Sequence, residues 1–403
     1  MVTQYYYPEN FRVNDICEAL AKDGHEVQVL TGIPNYPEGR YYKGYGWFKP
    51  RREVHNGVKI RRAPLVPRGK SKLKLVINYL SFAFFGGFAA KALAKEGFDL
   101  VFAYEVSPIT MILPAIKAKK KAGIPLISYI TDLWPESVQA AGGTGNGFIL
   151  RRIGKVVDKV YRESDHILVS SHSYIEAIAK RGVNREKIGY WPQYAEDFYA
   201  PVKVAAVDPV RTLLPQGFLL LFTGNLGMAQ GLEVVLEAAE RLRDMPEIKW
   251  VFVGNGRAKE GLQKKAKAMG LENSVFFLDA VPATDIPKLL ALAEGGLLAL
   301  KSDFLFDLIL PGKVPSYLAC GKPIIASVRG ESAEAIEKSG AGLVCPPSDG
   351  AALAEIAEAF YRLPKADRLA MQNKARAYFL QNFEKRHLLD QLVDLMDFMI
   401  GGR

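Results

Sequence analysis

Cysteine is scarce. The chain has three in 403 residues, Cys17, Cys320 and Cys345, far apart and without a CxxC pair. That argues against a disulfide framework or a thiolate zinc site and fits a reducing cytoplasm. Five scattered histidines form no HxH or HxxxH pair, so no metal site is expected. No basic, apolar, small-residue leader opens the sequence, which sets the expectation of a protein that is not exported. Low-complexity segments and short-period repeats are missing too. The charge-free run "LVINYLSFAFFGGFAA", residues 75–90, is shorter than the ~20 residues a membrane span needs. It is broken by Asn78, Ser81 and Gly86-Gly87, so a transmembrane helix is not expected.

What is present is length, and charge in one place. At 403 residues the chain exceeds one ordinary core, so two domains are expected. Apolar residues at 49% and charged residues at 24% are those of a soluble globular protein. The net charge is +10, yet twelve Lys/Arg against one acid, Glu53, fall between Arg40 and Lys74. That segment carries +11 and leaves −1 for everything else. With the greasy run that follows, residues 40–90 have three readings. One is a core helix beside a solvated basic loop. Another is an interfacial anchor, in which cations meet anionic headgroups and aromatic residues dip below them. The third, a nucleic-acid patch, lacks any recognisable binding motif, and no nucleic-acid partner is expected.

Short apolar strands alternate with amphipathic helices. Val13, Ile16, Cys17 and Leu20 share a helical face that ends near Gly24, and "HEVQVLT" alternates as a strand. "DLVFAY", "IPLISYI" and "DHILVSS" follow, then "FLLLFTG", "IKWVFVG", "SVFFLD", "GLLAL", "KPIIAS" and "AGLVCP" in the second half. The pattern predicts parallel βαβ units and an α/β fold of two doubly wound domains. Residues 194–217 hold three prolines and no periodicity, and read as a linker between residues 1–193 and 218–382. A helix over 383–403 is expected to cross back to the first domain. "MVTQYYYPEN" leaves only about four strand-like residues ahead of the first loop, against a usual five or six.

Three segments of the second half set glycine beside a helix. Gly224, Asn225 and Gly227 follow one strand; Gly254, Asn255 and Gly256 follow another; "LPGKVPSYLACGKP" places Gly312 and Lys313 ahead of a short helix. Glycine lets backbone approach a ligand, and helix N–H groups hold phosphate oxygens. A nucleotide-diphosphate site is the reading that joins them. Lys313 is then a fixed cation for the bound diphosphate, or alternatively a solvated turn lysine. Lys301, at a strand end, is a second candidate cation. In the first half "YITDLWPES" gathers Asp132, Trp134 and Glu136. Asp132 either accepts a proton from a bound group or caps its own turn. Arg12, Asn35 and Tyr36 either face a ligand or are ordinary loop residues.

"FTGNLGMAQGLEVVLEAAERL", "WVFVGNG", "YLACGKPIIAS" and "GAGLVCPPSDGAALAEIAEAF" resemble the donor half of family 4 glycosyltransferases. "YYYPENFRVNDICEALAKDGHEVQVLTGIPNYPEG" and "TDLWPESV" resemble the O-antigen and exopolysaccharide branch of that family. The resemblance implies a GT-B fold, two facing Rossmann-like domains with a cleft, and a nucleotide-sugar donor on the second domain. It also implies transfer with retention, without metal or other cofactor, to a sugar on a polyprenyl diphosphate. The enzyme would then work peripherally on the inner face of the plasma membrane. By the resemblance, Lys313, Gly312 and the loop glycines hold the diphosphate, and Ser316 sits near the sugar or ribose. Asp132 sits near the acceptor hydroxyl, with Arg12, Asn35, Tyr36, Trp134 and Glu136 around the acceptor. The chain departs from the family where many members carry two glutamates eight positions apart, here Leu308 and Ser316. It departs again where many carry Arg and Lys, here Asn225 and Gln230. A nucleotide-sugar 2-epimerase and a catalytically silent binding homologue are the competing readings.

Overall fold

The computed structural model describes residues 1–69, 71–140 and 145–402. It resolves into two compact α/β units, one of Met1–Trp191 with Leu389–Arg403 and one of Pro192–Leu388. The stretch expected as a linker therefore belongs to the second unit. Tyr194 and Ala195 are buried there, and Pro209–Leu213 form a 3₁₀ turn capped by Asp208.

In the first unit the strands are β1 (Gln28–Gly32), β2 (Arg52–His55), β3 (Val58–Ala63), β4 (Val101–Glu105), β5 (Leu126–Ile130), β6 (His166–Val169) and β7 (Ile188–Tyr190). β1 pairs parallel with β3, and β4 to β7 form a second parallel run. Val2 bridges β1 at Leu30 and β4 at Ala103, so the opening residues fill the position between the two runs. Below Val2, at the amino ends of these strands, lies a cavity of about 260 Å³ lined in part by Leu30, Val101, Met396 and Ile400. The helices are α1 (Arg12–Lys22), α2 (Lys72–Leu93), α3 (Leu113–Ala122), α4 (Glu136–Ala140), α5 (Gly147–Glu163) and α6 (His172–Ala179).

The basic run is not one solvated loop. Arg52–Ala63 is an antiparallel hairpin turned by Asn56 and Gly57, both at positive φ (46° and 82°), as Asn-Gly turns require. Arg62 is 2% exposed; it is paired with Glu53 and donates to the Gly32 and Tyr7 carbonyls. It is a structural cation. Lys70, counted in the basic run, lies outside the described residues.

α2 is longer than the charge-free run that predicted it. Its 22 residues are long and apolar enough, by length and composition, to cross a membrane. Yet one face packs on α3, β1 and β3. That inward face is mostly small or polar: Asn78, Ser81, Ala83, Gly86, Gly87 and Ala90, with Phe82 and Leu93. The large apolar residues point out, Leu73 (70% exposed), Val76, Ile77, Leu80, Phe84 and Phe88 (61%). This inverts the arrangement of a water-facing helix.

The second unit has strands β8 (Phe218–Thr223), β9 (Ile248–Val253), β10 (Val275–Leu278), β11 (Gly295–Ala299), β12 (Ile324–Ser327) and β13 (Gly342–Cys345), all parallel, in the order β10-β9-β8-β11-β12-β13. Its helices are α7 (Glu233–Arg241), α8 (Lys259–Ala268), α9 (Ile286–Leu292), α10 (Phe304–Asp307), α11 (Lys313–Ala319), α12 (Glu331–Ser339), α13 (Gly350–Arg362), α14 (Lys365–Asn382) and α15 (Lys385–Gly401), the last entering the first unit from Leu389. The sheet is buried on both faces, as its near-continuous apolar strands predict. The strand order reverses between β8 and β11, and the crevice at such a point is where doubly wound sheets bind ligands.

One hydrogen-bonded pair fixes that point. The buried Tyr317 hydroxyl of α11 accepts from Thr223 N at 2.9 Å and lies 3.2 Å from Thr223 Oγ1. Its ring lies where a Cβ on Gly296 of β11 would be only 2.5 Å away. Tyr317→Phe is expected to strand the Thr223 amide and cost about 1–3 kcal/mol. Thermal unfolding with unchanged stability would show that the pair is not holding β8 to α11.

Candidate functional site

In the second unit the glycine loops meet at the carboxyl ends of β8 and β9. Gly254 has φ 147°, and a Cβ there would lie 1.9 Å from the Gly224 carbonyl oxygen. A Cβ on Gly256 would lie 2.3 Å from the Leu226 oxygen and 2.7 Å from Asn225 Oδ1. Only glycine permits this approach. Asn225 thus lies between Gly227 and Gly256. The Asn255 side chain is occupied, its Oδ1 accepting from Lys259 Nζ at 3.0 Å. After Gly227, Met228–Gln230 make a 3₁₀ turn and Gly231, in the left-handed region, leads to α7. Gly231 lies against Lys301, whose N–H donates to the Ala229 carbonyl at 3.0 Å. Lys301 therefore joins the same loop cluster at the end of β11.

Lys313 opens α11 rather than preceding it, with Gly312 as N-cap. Its Nζ donates to Gln230 Oε1 at 3.2 Å and sits 4.6 Å from the Phe222 ring centroid, and its Cε is beside Gly224. No carboxylate pairs with it among the described residues. Burial pulls its pKa down to about 8. Ser316 is buried, and its hydroxyl donates to the Gly312 carbonyl at 2.9 Å, so it is committed to its own helix rather than open to a sugar. Leu308 ends α10. Asp307, next to it, faces Arg329 at 4.0 Å.

In the first unit the loops after Val2, β1 and β5 carry the predicted acceptor residues. Asp132 Oδ1 accepts from Ser137 Oγ at 2.9 Å, so its turn-fixing role is real. Burial raises its carboxyl to about 6, against the opposing hydrogen bonds of Ser137 and Ser107. A carboxylate poised there accepts a proton near neutrality. Trp134 stands edge-on to Tyr79 at 6.5 Å, and Glu136 starts α4. Arg12 starts α1, and its charge bears on the buried Tyr129 hydroxyl. Tyr36 is 37% exposed, whereas Asn35 is fully buried and its Oδ1 accepts from Arg68 N and Asn78 Nδ2. Asn35 is thus a scaffold residue and not a direct acceptor contact.

Two carboxyls escape sequence reasoning. Glu105, at the end of β4, is wholly buried; its Oε2 accepts the N–H groups of Thr131 and Asp132, each at 3.2 Å. Burial, and then the neighbouring Asp132, push its pKa well up. Glu9 Oε1 accepts from Asn35 N and Tyr36 N, both at 2.7 Å, and burial raises its pKa to about 7. Glu105 reads in sequence as a strand end, and only "PEN", with an acid beside a proline in a loop, marks Glu9.

Comparison with known proteins gives the family. Residues 210–378 match the model for glycosyl transferases group 1, and residues 10–192 match the glycosyl transferase 4-like domain. A protein of Escherichia coli named for colanic acid biosynthesis, the glycosyl transferase WcaI, is 30% identical over 94% of each chain. The chain is a family 4 type glycosyltransferase. Its units carry the GT-B fold. Sucrose-phosphate synthase from Thermosynechococcus elongatus superposes with a TM-score of 0.73 at 17% identity, over 97% of this chain and 93% of the other. Anabaena HepE, solved with UDP and glucose, superposes at 0.70 with 16% identity over 98% of both.

If Asp132 and Lys313 hold the roles the resemblance implies, their shifted groups set a pH window. Asp132 would have to be ionised to take a proton, so turnover would fall below about pH 6. Lys313 would have to be protonated to face a diphosphate, so turnover would also fall above about pH 8. The profile of kcat/KM is expected to be bell-shaped. Asp132→Asn should leave little activity and no acid limb, and an unchanged acid limb in that variant would assign it to another group.

Proposed function

We propose that this glycosyltransferase moves a sugar, with retention, from a nucleotide-diphosphate donor, a UDP-sugar, to a lipid-linked sugar in bacterial surface polysaccharide synthesis. The observation that carries the donor half is Lys313. A buried ammonium with only an amide for a partner is poorly solvated, and an anion would replace what water no longer supplies. The Lys313 cation and the glycine-loop amides meet the charge that builds on the leaving diphosphate. Gly224, Asn225, Gly227, Gly254, Gly256, Lys301 and Gly312 complete the surroundings of that group, with Asn255 steadying its loop. HepE, with its bound UDP, supports the choice of base. Asp132 receives the acceptor proton.

The acceptor's lipid fits the first unit. α2 turns a stripe of large apolar residues outward, and Lys72 and Lys74 on its first turn are exposed. Trp47 packs edge-on to Phe85 at 5.3 Å, and Phe48 beside it is fully exposed. Apolar side chains flanked by cations suit an anionic membrane surface. These features support a reading in which the enzyme works peripherally on the cytoplasmic face of the membrane; that it needs no metal or other cofactor is what the resemblance implies.

Incubation with bacterial membranes and a panel of nucleotide sugars tests the reaction. Released nucleoside diphosphate with label in the lipid fraction is expected. An epimerised free donor would point to a 2-epimerase, and binding without turnover to a silent homologue. Lys313→Ala is expected to lower kcat on the order of 100-fold with thermal stability unchanged or higher, because a desolvated charge is removed. Turnover like wild type would take Lys313 out of the mechanism. Separately, Leu80→Gln with Phe84→Gln should weaken cosedimentation with phosphatidylglycerol vesicles by on the order of tenfold or more. Both side chains are exposed, so folding should persist, and undiminished sedimentation would discard α2 as the contact.

A further inference from the structure

One arginine of the basic run differs from the rest. Arg68 follows β3 at the carboxyl end of the sheet, and its N–H donates to Asn35 Oδ1 at 2.9 Å. Its guanidinium lies 5.3 Å from the Tyr36 ring centroid, and its charge acts on the Tyr5 hydroxyl. Tyr5, Phe11 and Tyr36 support it as a cluster of three rings with centroids 5.1 to 5.8 Å apart. Arg62 is neutralised by Glu53, but no carboxylate pairs with Arg68 among the described residues. A guanidinium held by backbone and rings, half-buried and without a counter-ion, is built to receive an anion.

Tyr79 of α2 connects this cation to the carboxyl site. It stands edge-on to Trp134, and Arg68, Asp132 and Glu105 all act electrostatically on its hydroxyl. Burial raises that hydroxyl's pKa, so at neutral pH it stays a donor. A fork of N–H donors beside a phenol matches phosphate oxygens better than sugar hydroxyls, which need acceptors as well. The outward stripe of α2 starts at Leu73, five residues further along the chain.

We propose that Arg68, with the Tyr79 hydroxyl beside it, holds a phosphate of the acceptor's isoprenoid diphosphate, leaving the acceptor sugar at Asp132 and the isoprenoid chain at the start of the α2 stripe. The proposal rests on reading the first unit as the acceptor half. It assigns to Arg68 a role distinct from general attraction to headgroups.

Calorimetric titration with farnesyl diphosphate tests it, in excess UDP so that the Lys313 site is filled. Wild type is expected to bind, and Arg68→Ala and Arg68→Gln to weaken binding at least tenfold, with Arg68→Lys recovering part of it. Inorganic pyrophosphate should show the same dependence on Arg68, and farnesol none. In transfer assays Arg68→Ala should raise KM for a diphosphate-linked acceptor. Absence of binding to wild type, or equal binding by the folded variants, overturns the proposal. So does an equal loss of binding to phosphatidylglycerol vesicles, which would make Arg68 a general headgroup contact. In those cases transfer itself would continue. Arg68-dependent binding without any release of nucleoside diphosphate would instead sink the transferase reading and leave the phosphate seat standing.

Discussion

A buried charge without a counter-charge is the constraint around which the second unit is arranged. Placing an ammonium among Phe222, Gly224 and Gln230 costs free energy in the unliganded protein. It persists because rigid elements leave it nowhere else to go. Tyr317 ties α11 to the end of β8, and the glycine loops close around the helix start. On the proposed reading, the favourable term is deferred until an anion arrives. That is how a binding site differs from a salt bridge, where both charges are present in the folded chain.

The first unit handles charge in the opposite way. Glu9, Glu105 and Asp132 are carboxyls drawn out of water and held by backbone N–H groups and hydroxyls, each with a raised pKa. Glu105 and Asp132 lie close enough that ionising one hinders the other. Because Glu105 is the more deeply buried, the negative charge of the pair falls on Asp132. On the proposed reading, Asp132 is specified as the proton acceptor by its neighbour's reluctance to ionise. The two units thus present a cation poor in anions and a carboxylate poor in cations.

Much of this was legible in the sequence, for identifiable reasons. The strands of the second unit are continuous apolar runs, and Gly224 and Gly254 stand where two loops close on each other beside Lys313. The β2–β3 hairpin was overlooked although Asn56-Gly57 marks it, because arginines and lysines mask the inward alternation of Val58 and Ile60. β7 is only three residues long. Asn35 read as a ligand-facing or ordinary loop residue because its buried partners, Arg68 N and Asn78, are 33 and 43 positions away. Ser316 looked available because sequence does not show a hydroxyl bonding back to Gly312. Glu105 had no local signal; its meaning comes from a turn 26 residues on.

The inverted helix has a consequence of another kind. α2 is attached to its unit by amides, a serine and close glycine contacts: Gln4 to Asn78 at 2.7 Å, Asn78 to the Val66 carbonyl at 2.6 Å, and Gly86 and Gly87 against Pro114 and Lys117. Detergent competes for greasy surfaces and has little purchase on such a joint. Micelles would coat the outer stripe and leave the inner seam intact. A helix that in water is a liability for self-association thereby becomes, in an amphiphilic medium, one of the firmer attachments of the fold.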